Sequence, residues 1–315
     1  MRLVGSTVLR ALAALFLVTV ATCFMLDLLP GTPGAEILGS QATPAQVAAF
    51  NEQAGFNDSA PSRYVHWISD LFHGDLQRSV RTNQPVLDTI RERLPVTLEL
   101  ALAAELLALG VAVPLGLWSA HGVGGRLDRT VTTASFGLIS IAPFVLALVL
   151  VFWFSIKLGW LPVTGWVALT RDPFENLRHA ALPVLTLTAA ELAVYVRLMR
   201  ADALATLDEP FVTYARAKGL PERTILRRHV LRPSSVSLIT LAGLNLGRLI
   251  GGTVIVEQVF SLPGIGRTAV QAISSKDFYL IQGIVVVVAV SYVALNAMVD
   301  VLYGVIDPRI RRSVK

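Results

Sequence analysis

Long apolar runs separated by polar segments set the pattern of this 315-residue chain. A helix needs roughly 20 mainly apolar residues to cross the hydrocarbon core of a bilayer. The pattern therefore predicts an all-α integral membrane protein with six transmembrane helices. The runs that approach or exceed this length cover residues 9–29, 97–119, 132–156, 181–200, 236–257 and 281–303.

The first apolar run has two interpretations. Arg2 and Arg10 resemble the basic region of a secretory signal peptide. However, no small-residue cleavage site ends the run, which continues into the sequence Asp-Leu-Leu-Pro-Gly at 27–31. This favours a retained membrane helix, and we assign residues 1–29 to the first transmembrane segment.

The polar segment 30–95 predicts a small extracytoplasmic domain between the first and second spans. Thr43 followed by Pro44 is typical of a helix start and predicts a helix that reaches about Gln53. A second, amphipathic helix is predicted from Ser62 to Phe72, with Tyr64 and Trp67 on its apolar face. These two aromatic side chains either rest on the membrane interface or pack within the small domain.

Charge and composition narrow the class of protein. The chain is 54% hydrophobic and 16% charged, whereas soluble domains carry about a quarter charged residues. With a cytoplasmic N-terminus, the cytoplasmic segments hold sixteen Lys and Arg residues and the opposite side holds ten. This asymmetry predicts that both termini are cytoplasmic. Because the basic residues flank membrane spans, nucleic-acid binding is disfavoured.

Metal and disulfide chemistry is not indicated. Cys23 is the only cysteine, so an intramolecular disulfide is excluded, and the five histidines form no close pair at ligand spacing. We therefore predict no metal site and no cofactor in this chain.

Prolines and glycines mark where the spans bend and pack. Pro114, Pro143 and Pro183 lie within apolar runs, where each removes a backbone donor and tends to kink a helix. A bundle with several kinks is able to hinge. In the fifth span, three glycines spaced four residues apart predict a face for close helix packing; they are Gly243, Gly247 and Gly251.

A polar stripe lies beside those glycines and supplies candidates for a translocation path or gate. Asn245, Arg248 and Gly252 follow it at helical spacing. An arginine within an apolar run is costly and faces protein or water rather than lipid. Arg248 therefore either serves a pathway or is buried against carbonyls of a neighbouring helix. Glu257, a fourth candidate, is expected at the edge of the span, before a Pro-Gly-x-Gly turn at 263–266.

The most basic segment, within residues 208–233, lies between two apolar runs. Residues 211–233 carry six Arg or Lys residues and a single acid, Glu222. A helix from Phe211 is predicted to end at Gly219, which can adopt positive φ, and Pro221 can open a second helix. We call residues 208–233 the elbow. Its small and cationic residues suit an acidic partner protein or, alternatively, anionic lipid headgroups.

The elbow carries a resemblance to a known family. The sequence Ala-Arg-Ala-Lys-Gly-Leu at 215–220 resembles the coupling motif of dipeptide and oligopeptide permeases of binding-protein-dependent ABC importers. Against the general family pattern, Thr213 stands where a Glu is usual and Tyr214 where an Ala is usual. The resemblance assigns ATPase coupling to Thr213, Tyr214, Ala215, Arg216, Ala217, Lys218, Gly219, Leu220 and Arg223.

The resemblance extends over nearly the whole chain. Similar blocks occur in the same order at 29–31, 74–76, 93–98, 254–266 and 307–311. It implies a type I ABC importer permease, with residues 96–304 forming the transmembrane domain and 305–315 a cytoplasmic tail. The implied partners are a homologous second permease, two ATPases and an extracytoplasmic binding protein, in the cell membrane of a bacterium. ATP and Mg would bind the ATPases, since this chain has no phosphate-binding Gly-x-x-x-x-Gly-Lys-Ser/Thr loop.

The implied function is import of di- or oligopeptides by alternating access. Relatives in this family also carry haem or metal complexes, so these are alternative substrates. A different class, an ion-coupled secondary transporter, would need acids at the bilayer midplane. The candidates for that role are Glu99, Glu105, Glu191 and Asp300, most of which the apolar runs place near span ends.

Overall fold

The structure, a computed structural model, describes residues 2–24, 33–39, 42–53, 55 and 57–306. The all-α prediction is confirmed for these residues, in which the one extended pairing is an isolated bridge between Arg78 and Pro85. The helices are α1 (Arg2–Phe24), α2 (Pro33–Leu38), α3 (Pro44–Gln53), α4 (Ala60–Phe72), α5 (Val86–His121), α6 (Arg126–Ser140), α7 (Pro143–Leu150), α8 (Pro173–Leu207), α9 (Pro210–Ala217), α10 (Glu222–Thr224), α11 (Leu231–Val259), α12 (Ile265–Ser274) and α13 (Phe278–Ile306).

Four helical stretches of the described chain are long and apolar enough to cross a membrane. They are Val86–His121, Pro173–Leu207, Glu222–Val259 and Phe278–Met298. A fifth span results if the bent pair of α6 with the segment Pro143–Lys157 crosses as one unit. In α1 the apolar stretch Ala11–Phe24 is shorter, and residues 25–29 lie outside the described residues. Six spans therefore stay a prediction.

The predicted third span, 132–156, is not a single helix. The chain turns by 106° between α6 and α7. Ile141 and Ala142 are extended and Pro143 takes the first position of α7, because a proline disfavours helical geometry in the residue before it. Beyond α7 the backbone widens into a π-helix, Val151–Lys157. Among the three prolines predicted to kink a helix, Pro143 thus marks a complete break between two helices.

The chain divides into two compact units. The first combines the described part of 1–96 with Pro263–Ala294, and the second combines Thr97–Leu262 with the described residues from Leu295 onward. The predicted boundaries at 29/30, 95/96 and 304/305 stay predictions. The blocks at 29–31 and 307–311 that resemble the family lie outside the described residues.

Both predicted helices of the outer segment are present in the first unit. Thr43 caps α3 by accepting the Gln46 N–H at 3.3 Å, while the Gln46 side chain accepts the Thr43 N–H at 2.9 Å. In α4 the Tyr64 ring stands edge-on to Phe16 of α1 at 6.3 Å, and its hydroxyl lies 3.0 Å from Thr19 Oγ1. Trp67 is buried. Tyr64 and Trp67 therefore pack within the unit.

A core of interdigitated side chains fills the second unit. It surrounds Tyr195 and Met199 of α8, both fully buried, and includes Ala108 and Ala112 of α5. One turn beyond Ala112, Gly116 lies so close to α8 that an added Cβ would be 2.7 Å from Met199 Cβ and 3.2 Å from Arg200 N. Small residues at this spacing let two helices approach closely, and the sequence analysis missed them.

We expect Gly116→Ala to destabilise the chain by about 1–3 kcal/mol, because the methyl group would force α5 away from the α8 backbone. Gly110→Ala is the matched control in the same helix, since no atom lies within 4 Å of a Cβ there. It should be neutral or slightly stabilising through its higher helix propensity. Thermal unfolding of the purified proteins measures both, and equal midpoints for the two variants would contradict the close packing.

Candidate functional site

The elbow begins with α9, an amphipathic helix that rests on the core of the second unit. Val212 and Ala215 are buried there, whereas Thr213 and Tyr214 are exposed. Ala215 is among the residues that the resemblance assigns to ATPase coupling, and its side chain faces inward. Its small size lets α9 lie close to the core.

Gly219 makes the turn of the elbow. Its φ is +76°, as predicted, and no atom lies within 4 Å of an added Cβ. The Leu220 N–H donates to the Ala215 carbonyl at 3.3 Å and the Gly219 N–H donates to the Arg216 carbonyl at 2.9 Å. This pair of bonds is the Schellman arrangement that closes a helix and reverses the chain.

The second arm of the elbow runs without a break into the next span. Although Pro233 lies at this junction, α10, a π-helical stretch at Ile225–Val230 and α11 form one continuous 38-residue helix. The Leu231 N–H reaches back five residues to the Leu226 carbonyl. A proline normally clashes with the carbonyl four residues earlier. Here the wider π turn lies directly before Pro233 and accommodates it.

The outer surface of the elbow is exposed and cationic. The Lys218 ammonium lies 4.6 Å from the centre of the Tyr214 ring. Arg216 Nε donates to Glu222 Oε1 at 2.9 Å. Glu222, the single acidic residue of 211–233, is therefore already paired within the elbow. The other predicted coupling residues on this surface are also exposed: Ala217, Gly219, Leu220 and Arg223. An acidic or polar partner surface would meet a positive, accessible face here.

A second polar group lies in the middle of the apolar helices. The Tyr195 hydroxyl donates to Glu105 Oε1 at 2.8 Å, and Asn245 Nδ2 donates to Glu191 Oε2 at 2.7 Å and to the Tyr195 hydroxyl oxygen at 3.2 Å. All four residues are buried. With Arg248 they form what we call the midspan cluster.

Arg248 does not match the alternative of an arginine buried against backbone carbonyls. Its Nη2 donates to Glu191 Oε1 at 3.2 Å, so its partner is a carboxylate rather than a backbone carbonyl. Its side chain is 70% exposed while that of Glu191 is 7% exposed. The expectation of a buried arginine is therefore wrong, and the guanidinium is accessible from outside the chain's own fold.

Glu105 and Glu191 of the cluster lie near the centres of α5 and α8. Glu191 and Tyr195 are four residues apart, and Asn245 and Arg248 are three apart. The sequence feature that could have located this cluster is the helical spacing of polar residues on two otherwise apolar helices.

The remaining candidates of α11 divide between its two sides. Gly243 and Gly247 are buried, in keeping with the predicted packing face. Gly251 and Gly252 are exposed with no atom within 4 Å of an added Cβ, so the packing prediction is wrong for Gly251 within this chain. Glu257 is fully buried and accepts a hydrogen bond from Thr97 Oγ1 at 2.6 Å, rather than lying in a partly solvated edge.

A further ion pair escaped sequence analysis altogether. Asp128 at the start of α6 accepts two bonds from Arg200 of α8, at 2.5 Å from Nε and 2.9 Å from Nη2. It also accepts the Ser119 hydroxyl at 2.5 Å and the Gly124 N–H at 2.9 Å. We call these four residues the Asp128 knot. Nothing local links residues 72 positions apart, so no sequence pattern pointed to it.

Metal chemistry gains no support from the geometry. Within the described ranges, no group of three or more His, Cys, Asp or Glu residues is arranged to hold an ion. The buried carboxylates instead accept hydrogen bonds from tyrosine, asparagine, threonine and arginine side chains.

Comparison with known proteins finds similarity along nearly the whole chain. The model of the binding-protein-dependent transport system inner membrane component family matches residues 112–312, and the model of its N-terminal part matches residues 1–101. The probable peptide ABC transporter permease protein y4tP of Sinorhizobium fredii is 36% identical, covering 98% of this chain and 97% of that protein. The oligopeptide transport system permease protein AppB of Bacillus subtilis is 33% identical and covers 96% of each chain.

Among solved structures, a chain of the MetNI methionine ABC transporter in inward-facing conformations superposes with a TM-score of 0.53. The match covers 69% of this chain and 96% of that one at 17% identity. At this identity the likeness concerns the fold alone, and it confirms the predicted ABC importer permease fold.

The Asp128 knot predicts a large effect from one substitution. We expect Asp128→Asn to destabilise the chain by about 1–3 kcal/mol, because it leaves the partly exposed Arg200 without its carboxylate partner. Asp88→Asn is the control, since the Asp88–Arg91 pair is exposed and separated by 3.9 Å, and it should change stability by less than about 1 kcal/mol. Unfolding in denaturing detergent measures both. Equal losses would show that the knot is not a stabilising contact.

Proposed function

We propose that this chain is a pore-forming permease subunit that imports small peptides. The premise is that the chain belongs to the family of binding-protein-dependent transport system inner membrane components. Its place in the family makes it a multi-pass protein of the inner membrane and a membrane component rather than a catalyst. Relatives at 33–36% identity bear the names of peptide and oligopeptide permeases, and these names support peptides as the substrate class.

The proposed coupling mechanism rests on one observation, the continuity of the elbow with α11. The stretch Glu222–Val259 is one helix of 38 residues, and its first turns belong to the exposed cationic face. A force applied to that face by an ATPase would be transmitted along the helix to Arg248 in the middle of the apolar region. The break at Pro143 supplies a separate joint, because α6 and α7 share no continuous backbone ladder.

The proposed assembly contains two homologous permeases, two ATPases that bind ATP and Mg, and an extracytoplasmic binding protein. The elbow would contact an ATPase, with Tyr214, Lys218 and Arg223 on the contact surface. Both termini of this chain would be cytoplasmic, because that orientation puts the larger share of Lys and Arg on the cytoplasmic side.

One observation speaks for the ion-coupled alternative. Glu105 and Glu191 lie near the centres of apolar helices, where secondary transporters bind coupling ions. The family and the named relatives do not favour this alternative. They also do not favour haem or metal complexes over peptides as cargo. Co-purification of an ATPase with the chain separates the two classes of transporter.

The elbow assignment is tested by Gly219→Val. A β-branched residue resists the φ of +76° and would also hold a partner surface away, since the position is open. We expect the complex to assemble, and binding-protein-stimulated ATP hydrolysis and peptide uptake to fall at least tenfold.

Gly159→Val is the matched control for this test, because Gly159 has a φ of +64° and is equally open but lies outside the elbow. It carries the same backbone strain and should leave stimulation near the unmodified level. Unchanged stimulation and uptake in Gly219→Val would remove the elbow from the coupling path.

Orientation is tested by single cysteines in a Cys23→Ala background. Thr82 and Glu209 are both exposed, and they lie on opposite sides of the membrane in the topology that we propose from the charge asymmetry. An impermeant maleimide should label Thr82→Cys in intact spheroplasts and Glu209→Cys only after permeabilisation. Labelling of both positions without permeabilisation would contradict the proposed topology.

A further inference from the structure

Arg248 retains most of its hydrogen-bonding capacity. A guanidinium has five N–H donors, and in the described residues this one makes a single hydrogen bond, to Glu191. Its side chain is 70% exposed although it lies in the middle of an apolar helix. Charge at that depth is costly unless it meets water, protein or ligand. The free edge of the guanidinium therefore faces something other than lipid.

The surroundings of Arg248 form a continuous exposed stripe along α11. The stripe contains Leu244, Arg248, Gly251, Gly252 and Ile255, all exposed, while most neighbouring positions from 242 to 257 are buried. Gly251 and Gly252 present no side chain, and the space above them is open. A single cation beside bare backbone and two aliphatic side chains suits a small, anionic, partly apolar solute.

Glu191 fixes the direction of the guanidinium without occupying all of it. Its Oε2 is held by Asn245 at 2.7 Å, which leaves Oε1 to accept Arg248 at 3.2 Å. The carboxylate is buried in the fold, so it reaches the arginine from the inner side. Because a guanidinium can bind a second carboxylate with its remaining donors, Glu191 orients Arg248 and also competes with a ligand, which favours release.

We propose that Arg248 binds the free terminal carboxylate of the transported peptide on its way through the pore, and that Glu191 is its positioning residue. This inference rests on the proposed import of peptides. Every unmodified peptide carries one such carboxylate whatever its side chains, so a single arginine would recognise the substrate class without selecting a sequence. A contact with an acidic group of the partner permease is the competing use of this stripe.

The experiment compares two forms of one peptide, with a free C-terminal carboxylate and with a C-terminal amide. ATP-driven uptake of each is measured in vesicles that contain the complete complex and saturating binding protein. The ratio of the two rates is taken for the unmodified complex and for each variant. Because all complexes use the same binding protein, its own preference cancels when the ratios are compared.

Three variants and one control decide the outcome. Arg248→Gln should lower the free-acid to amide ratio at least about tenfold, the effect of losing a bidentate, charge-assisted contact between the guanidinium fork and the carboxylate. Glu191→Gln should keep a preference for the free acid because the guanidinium is still present. The double variant Glu191→Gln/Arg248→Gln should behave as Arg248→Gln does. Arg197→Gln is the control, an exposed arginine of α8 that contacts the Phe136 ring, and it should leave the ratio unchanged.

Other results would overturn the proposal. If the double variant shows the uptake rate and the free-acid to amide ratio of the unmodified complex, the only role of the arginine is to neutralise Glu191. If Arg248→Gln fails to assemble with the partner permease, Arg248→Lys decides, since it keeps the charge but loses the planar fork. An unchanged ratio in Arg248→Lys would then assign the stripe to the subunit contact. Absence of ATP-driven peptide uptake by the unmodified complex would instead refute the proposed function itself.

Discussion

The cost of an unpaired charge among apolar helices governs how this chain packs. A polar group that lipid cannot solvate must find its partner inside the protein. Glu191 is met by Asn245 and Arg248, and Glu257 by Thr97. Each of these contacts joins two helices that are distant in sequence, so the same requirement that neutralises the charges also fixes which helices are neighbours.

Features with a local cause were predictable from the sequence. The turn at Gly219, the capped start of α3 and the amphipathic α4 each depend on residues a few positions apart. The break at Pro143 was predicted as a kink, but its angle of 106° was not. The apolar runs likewise located the long helices of the described chain, since length and hydropathy suffice for that.

Features with a distant cause were not predictable. The burial of Glu257 depends on Thr97, and the knot at Asp128 depends on Arg200, in both cases through contacts between different helices. Gly251 was grouped with Gly243 and Gly247 by spacing alone, yet the drift of a 3.6-residue period turns it toward the exposed side. One sequence does not reveal which face of a membrane helix meets the same chain and which meets a ligand or a partner.

The unbroken course of Glu222–Val259 also has a mechanical meaning. Its most constrained point is near Asn245, which is tied to α8 by two hydrogen bonds and flanked by the buried Gly243 and Gly247. At about 1.5 Å per residue, the arm from this fulcrum to the start of the helix at Glu222 is about 35 Å and the arm to its end at Val259 about 21 Å. In such a lever, an inward displacement of the elbow end produces an outward displacement of the other end. The second displacement is about three-fifths as large as the first. Arg248, only one turn from the fulcrum, would rotate more than it travels, so the helix could change the aim of its guanidinium while hardly shifting its depth.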